Sequence, residues 1–399
     1  MQDTHVDILV SGGGVAGLTA AATFGAAGFT VLCVDPTAPV TSREAKGSDL
    51  RTTAFLQPAK TLLEQAGLWS RLAENAAPLQ IMRIVDAGGA DPSPRVIKNF
   101  DASDISDQPF GWNLPNWLLR REILARLEEL PNVTFRPGIG TKSVFTRDAS
   151  ARVTLSDNSR VHCKLIIAAD GRNSPVREAM GIPVKTTRYG QKALAFAVTH
   201  TVPHENVSTE IHRSGGPFTL VPLPDDQGRP SSAIVWMETG AEAARLAALP
   251  DTAFEEAMME RSCGVLGPLK LASGRTLWPI ISQAAERLSA QRVALMAEAA
   301  HVVPPIGAQG LNMSLGDLRV LLELAQAAPE TLGSLEMLDS YHQRRHGEMR
   351  VRVAGIDLLN RASMVSAQPM RDLRAMGLNA IYSLGPVRKT MMQMGLGVR

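Results

Sequence analysis

Apolar and polar positions change rhythm several times along the chain. Val6–Val10 is a short apolar run, SGGG follows, an alanine-rich stretch Val15–Ala27 ends at Gly28, and Phe29–Val34 is apolar again. Strand, glycine loop, helix and strand in that order predict a βαβ unit at the start of the chain. Ala54–Leu72 has apolar residues at helical spacing with Pro58 placed early, where a helix tolerates it, and predicts a mostly helical segment. From Val144 the period falls to two. Val144–Thr146, Val153–Leu155 and Val161–Ile167 read as strands, with Asp157-Asn158-Ser159 as the turn between the last two. Leu165–Ala169 is continuously apolar, as a strand covered on both faces would be.

Residues 182–280 have a different texture. Leu194–Thr199, Phe218–Leu223 and Ala233–Met237 read as strands between Pro- and Gly-containing loops, which suits a mostly antiparallel sheet. After Asn312 the pattern is helical to the end. The fold class expected is α/β: a Rossmann-like domain interleaved with a second, mostly antiparallel β-sheet domain, and a helical C-terminus. The expected division is 1–75, 111–181 and 281–335 for the first, 76–110 and 182–280 for the second, and 336–399 for the helical region.

Composition narrows the class. A chain of 399 residues is long enough for two sizeable cores, and 45% apolar with 20% charged residues is ordinary for a globular protein. A net charge of +2 gives no argument for a nucleic-acid partner. Cys33, Cys163 and Cys263 lack metal or redox spacing and read as small hydrophobes in a reducing compartment. The N-terminal MQDTHVDILV carries acids and shows no signal peptide, and no apolar run reaches the roughly 20 residues of a membrane span. The expected location is cytoplasmic.

Three glycine-containing sites carry candidate chemistry. Gly12, Gly14 and Gly17, spaced by Val15 and Ala16, fit GxGxxG between a strand and a helix. The first glycine makes the tight turn, the second admits a pyrophosphate to the backbone, and the third lets helix pack on strand. Asp35 ends the next strand, where a ribose hydroxyl partner belongs. Asp170-Gly171 follows the buried strand and leads into RNSPVREAMG, a helix; Asp170 reads equally as a helix cap. Third, ALMAEAAHVVPPIGAQGLN runs from a buried strand Ala294–Ala297, ended by Glu298, through Pro304-Pro305 and Gly307-Ala308-Gln309-Gly310 into a helix near Leu311. Such a helix start stabilises negative charge on a reduced ring; a plain proline-broken loop is the alternative.

In that order, GGGVAG, LIIAADGRNSPVR and ALMAEAAHVVPPIGAQGLN resemble the three motifs of the group A flavoprotein monooxygenases of the para-hydroxybenzoate hydroxylase type. A narrower resemblance to the ubiquinone-biosynthesis hydroxylases rests on SDLRTTAF, GGPFTLVPLP with SSAIVW, and the tail segments SYHQRRH, GIDLLNR and SLGPVRKTMMQMGLG. The resemblance implies that FAD is held by Gly12, Gly14, Val15, Ala16, Gly17, Asp35, Asp170, Gly171, Glu298, Pro305, Gly307, Gln309, Gly310, Leu311 and Asn312. Arg51 and Arg121 match flavin-side arginines, with surface helix charge as the other reading, more so for Arg121. Two departures stand out: Ala297-Glu298 where the family has Gly-Asp, and Ala308 where it has glycine. They predict FAD binding that is weakened but kept.

The resemblance further implies that NAD(P)H, bound transiently, reduces FAD, that O₂ adds at flavin C4a, and that the hydroperoxide passes OH to an electron-rich ring. The implied substrate is a polyprenylated phenol or benzoquinone precursor. No catalytic residue in the substrate domain is named by the sequence. His301 has no ligand-spaced partner and reads as packing within its motif. The tail MRDLRAMGLNAIYSLGPVRKTMMQMGLGVR suits a lipid surface, with Arg371, Arg374, Arg388 and Lys389 near headgroups, or equally a Met-rich helix packed on the protein or on a partner in a quinone-biosynthesis assembly. The rivals are a hydroxylase of a soluble aromatic acid, a non-catalytic family member supporting such an assembly, and a flavin reductase of prenyl double bonds.

Overall fold

The computed structural model describes residues 3–89, 91 and 93–397. The chain opens with β1 (Thr4–Ser11), α1 (Val15–Ala26) and β2 (Val31–Asp35), the expected βαβ unit. It continues with β3 (Thr52–Leu56), α2 (Gln57–Gln65), β4 (Ile81–Asp86), β5 (Val96–Asp101), α3 (Asn116–Glu128), β6 (Val133–Pro137), β7 (Thr141–Thr146), β8 (Ala151–Leu155), β9 (Arg160–Ala168) and α4 (Pro175–Ala179). Then come β10 (Val184–Thr199), β11 (Val207–His212), β12 (Pro217–Asp226), β13 (Arg229–Thr239), α5 (Gly240–Ala247), α6 (Asp251–Arg261), β14 (Thr276–Ala285) and β15 (Val293–Leu295). Helices α7 (Gln309–Ala327), α8 (Leu335–Met364), α9 (Gln368–Ser383) and α10 (Gly385–Leu396) complete it.

The first sheet runs β15–β9–β1–β2–β6 in parallel, with β8 and β7 added antiparallel beside β9. Helix α1 is apolar all round and buried from Ala16 to Gly25, as a helix covered on all sides must be. Its small residues set that depth: a Cβ on Gly17 would lie 1.9 Å from the Gly12 carbonyl oxygen. In β9, Leu165–Ala168 is wholly buried between β1 and β15, which explains its unbroken apolar run. Asn158 turns the chain between β8 and β9 at φ 66°.

One expectation needs correction. Ala54–Leu56 is strand, not helix, and the helix begins only at Gln57 with Pro58 in its first turn. β3 pairs with Gly111–Pro115 on one side, and Asn312 bonds the Leu56 N–H and the Ala54 carbonyl on the other. These partners are remote in sequence and override the local helical spacing.

The second sheet runs β14–β10–β13–β12–β11–β4–β5, antiparallel except for β11 beside β4. Alternation gives it two faces. Leu194, Phe196, Phe218, Leu220, Ile234 and Trp236 pack with Phe254 and Met258 of α6 into a separate core. On the opposite face Ala193, Val235, Met237 and Trp278 join the core of the first sheet. The second sheet therefore roofs the first. Helix α9 lies along its far edge, where Tyr382 meets Phe100 edge-on and Arg374 bonds Asp86 at 2.8 Å. Cys33 and Cys163 are buried, as expected of small hydrophobes, and Cys263 is half-buried.

Candidate cofactor and substrate site

The GxGxxG turn is a tight fit on one side and open on the other. Gly12 has φ 111°, and a Cβ there would lie 2.3 Å from the Ala169 carbonyl oxygen. A Cβ on Gly14 would meet nothing within 4 Å. Gly14 stands at the start of α1, which no side chain caps. Open space against uncapped N–H groups at a helix start fits a diphosphate. The Asp35 carboxylate accepts the Gly13 N–H at 2.6 Å and the Thr37 N–H at 2.7 Å, so it also stitches the loop to β2. Spare lone pairs remain for a ribose hydroxyl.

Asp170 sits where β9 ends, beside this turn. Oδ2 accepts from Ser11 Oγ at 3.4 Å and from the Val176 N–H at 3.3 Å, so the helix-cap reading is realised, though Ser174 is the residue that caps α4. Oδ1 is buried and has no partner. Burial pushes the Asp170 carboxyl above its usual value. An orphaned acceptor beside an open glycine turn fits a hydroxyl donor from a bound cofactor. Arg177 donates to the Ala299 and Arg172 carbonyls rather than standing free for an anion.

The late loop closes the same space. β15 stops at Leu295, a single 3₁₀ turn follows over Ala297–Ala299, and Glu298 projects outward, exposed. Ala297 and Ala308, the two departures from glycine, both adopt left-handed backbone, at φ 55° and φ 57°. Ala308 precedes α7, whose start is also uncapped by any side chain. Asn312 fastens that start: it holds β3 through Leu56 and Ala54 and donates to the Ala308 carbonyl at 2.7 Å. Leu311 packs against the main core, and Pro305 is half-buried in the turn. Gln309 faces away, bonding Arg352 at 2.7 Å and the Gly395 carbonyl of α10 at 3.1 Å.

Arg51 reaches this space from the N-terminal end of β3. It bonds Asp49 through two 2.7 Å contacts and lies 5.5 Å from the Trp278 ring centre. The Asp49 bond, with the charge of Glu298 adding, holds the Arg51 guanidinium above its usual value. Burial alone would raise the Asp49 carboxyl, but Arg51, Asn116 and Arg120 keep it below. Arg121 is not brought here; it faces solvent, paired with Glu122 at 2.8 Å. Its neighbour Arg120 takes the place, 3.2 Å from Asp49. Asp49 and Arg120 carried no sequence signal beyond adjacency to the motifs.

Beneath the loop lies a buried ionic relay. His301 Nε2 is 2.6 Å from Asp317, which accepts from Arg345 at 2.8 Å, and Tyr341 donates to the Leu295 carbonyl at 2.7 Å. His301 is thus tied through Asp317 to Arg345 of α8. Among the described residues no group of acids, histidines or cysteines could hold a metal ion.

An open glycine turn at an uncapped helix start, with an orphaned carboxylate oxygen beside it, has the geometry of a dinucleotide-cofactor site. The FAD binding domain family matches residues 5–354, and the chain belongs to it. It is an FAD-dependent monooxygenase of the group A type. The ubiquinone hydroxylase UbiL of Rhodospirillum rubrum is 31% identical over 398 residues, covering 99% of this chain and 90% of that protein. The 3-demethoxyubiquinol 3-hydroxylase of Escherichia coli is 24% identical over 402 residues, covering all of both chains. In fold, the p-nitrophenol 4-monooxygenase PnpA of Pseudomonas putida superposes with a TM-score of 0.79 at 19% identity over both full lengths.

Proposed function

We propose that this protein hydroxylates the ring of a polyprenylated phenol or benzoquinol in ubiquinone biosynthesis, with NAD(P)H and O₂ as co-substrates. Bound against Gly14, Asp170 and the start of α7, FAD supplies the reduction of O₂ and the transfer of one oxygen atom to the ring. The chain's own part is to bind, orient and exclude water. The uncapped start of α7 places a positive dipole end where charge develops, and Arg51 and Trp278 close one side of the ring space.

The observation that carries the substrate class is the roof. The central strands turn Ala193, Ala195, Ala197, Ala233, Val235, Thr219 and Val221 inward. These are small and uncharged, which suits a neutral prenylated ring, and the nearby Arg51 is held by Asp49 rather than free to anchor the carboxylate of a soluble aromatic acid. We further propose that the tail helices rest on a lipid surface. Met370, Leu373 and Met376 of α9, with Val387, Met391 and Met394 of α10, are exposed along it. Among the described residues no helix is long and apolar enough to cross a membrane. Of the four basic residues read toward headgroups, Arg374 and Arg388 turn inward to Asp86 and Asp104, so contact would rest on the apolar stripe.

The test measures NADPH consumption and product mass with a prenylated phenol, a soluble hydroxybenzoate and no substrate. Hydroxylation of the prenylated ring, coupled to NADPH use, is expected. Hydroxylation of the soluble acid alone would reject the reading.

A further inference from the structure

Strand β11 carries a charged pair on the side of the second sheet that is turned toward the first. Ile211 belongs to the separate core with α6, so by alternation Glu210 and His212 turn to the opposite face. The register agrees. Glu210 lies opposite Thr219, Thr219 opposite Val235, and Val235 opposite Ala195, one row across four strands. Glu210 therefore adds a carboxylate to a row of the roof that is otherwise Thr, Val and Ala. On its far side come Ile84 of β4 and then β5, where Tyr382 of α9 meets Phe100. The pair thus stands inboard of the tail helices.

It is recessed and short of partners. The two side chains are 14% and 15% exposed, and His212 Nε2 is 2.7 Å from Glu210 Oε1. Two lone pairs would repel at that distance, so a proton lies between them. His212 Nδ1 is buried with no partner. A proton there would be a buried donor left unmade, which assigns the ring proton to Nε2. Oε1 of Glu210 is then held. Among the described residues its Oε2 takes no hydrogen bond, and no lysine or arginine comes within ion-pair distance. Nearby charges are committed elsewhere: Asp86, beside His212, pairs with Arg95 and Arg374, and Arg213 pairs with Glu260. On an open face such a pair would be a solvated contact worth little. On a covered face, a carboxylate with one oxygen fixed and the other free is placed to accept from a ligand.

We propose that Glu210 is the catalytic base of ring hydroxylation: it accepts the proton of the substrate's own hydroxyl, while His212 positions its carboxylate. The proposal rests on the substrate being a ring with a free hydroxyl, as in the function proposed above. As the oxygen atom is transferred, the hydroxyl O–H bond breaks, its electron pair moves into the ring, and the proton goes to Glu210 Oε2. A ring giving up electron density makes that hydroxyl a far stronger acid than a resting phenol, so a carboxylate is base enough. The hydroxylated carbon then loses its hydrogen to water as a proton, aromaticity returns, and Glu210 gives its proton back to the ring oxygen. A carboxylate in the roof also repels the anion of an aromatic acid, which agrees with a neutral phenol.

The test is single-turnover hydroxylation by the holoenzyme, followed by product mass. One arm uses a short-chain prenylated phenol; the other uses its methyl ether, which has no proton to give. E210Q is expected to slow hydroxylation of the phenol about a hundredfold or more, the usual contribution of a positioned base. Calorimetric affinity for the phenol should shift less than about tenfold, because Gln keeps an acceptor. Raising the pH toward the ionisation of the phenol itself, near about 10, should narrow the gap. On the methyl ether E210Q and wild type should be equally slow. H212Q keeps an N–H donor and H212L keeps none, so H212L should lose more rate at unchanged affinity. E210Q that hydroxylates the phenol at the wild-type rate, or shows the same deficit on the methyl ether, overturns the assignment and leaves the proposed function standing. A wild type that hydroxylates no prenylated phenol removes both. Should E210Q lose flavin, the two His212 variants carry the test, and equal rates for them overturn the assignment.

Discussion

At the residue scale, the two departures from the family's glycines matter through backbone more than bulk. Ala297 and Ala308 both hold left-handed φ, a region that costs a residue with a Cβ about 1–2 kcal/mol. Glycine removes that cost and gives back part of it as unfolded-chain entropy. A297G and A308G should each stabilise the apoprotein by about 0.5–1 kcal/mol in urea unfolding, a gain that bulk at the cofactor would not produce. The buried relay makes a prediction of opposite sign. Burial pushes the Asp317 carboxyl up, but His301 and Arg345 outweigh it and hold the group below its ordinary value of 3.8. Its contribution is therefore complete at neutral pH and is lost as pH falls through the lowered folded value. D317N should cost about 3–5 kcal/mol at pH 7, since it leaves a buried Arg345 without its countercharge. The gap between wild type and variant in urea midpoint should narrow below pH 3.8. A gap independent of pH would show that Asp317 acts by shape alone.

At the element scale, the fold depends on ties between segments far apart in sequence. Asn312 at the head of α7 holds β3 by two bonds and its own preceding loop by a third. N312A should lower stability by about 1–3 kcal/mol for the buried groups left unpaired. It should also loosen β3 and with it Arg51, raising the amount of FAD needed to fill the site in an absorbance titration. N312A with wild-type flavin affinity would show that β3 is held by Gly111–Pro115 alone. The same ties mark what the sequence reveals. The βαβ unit, the three strands after Val144 and the glycine turns were legible because turn chemistry and periodicity are local. β3 was not, because its partners are Gly111–Pro115 and Asn312. Nor was the exchange of Arg120 for Arg121: a one-residue step on a helix turns a side chain by about 100°, and only the packing of α3 decides which arginine meets Asp49. The left-handed alanines were visible as departures, but their φ was not.

At the scale of the whole molecule, the tail is both wall and surface. α9 is clamped to the second sheet by Asp86, which is buried and accepts from Arg95 and Arg374; both arginines hold its carboxyl below the usual value against the effect of burial. α10 returns to the start of α7, where Gly395 meets Gln309. The inner sides of these helices are thus committed to the protein. Their outer sides expose Leu373, Met376, Val387, Met391 and Met394, an apolar stripe of the kind that lies on an interface. With Arg374 and Arg388 drawn inward and a net charge of only +2, electrostatic attraction to anionic lipid contributes little. Vesicle co-sedimentation should then depend weakly on salt and differ little between neutral and anionic lipid. M376E/M394E should weaken it about a hundredfold or more, because each methionine withdrawn from an apolar phase forfeits about 1.5–3 kcal/mol. Turnover of a short-chain soluble analogue should stay unchanged, while turnover of the prenylated substrate presented in vesicles falls. If M376E/M394E sediments like the wild type, the stripe does not touch lipid, and its occupant is a protein partner.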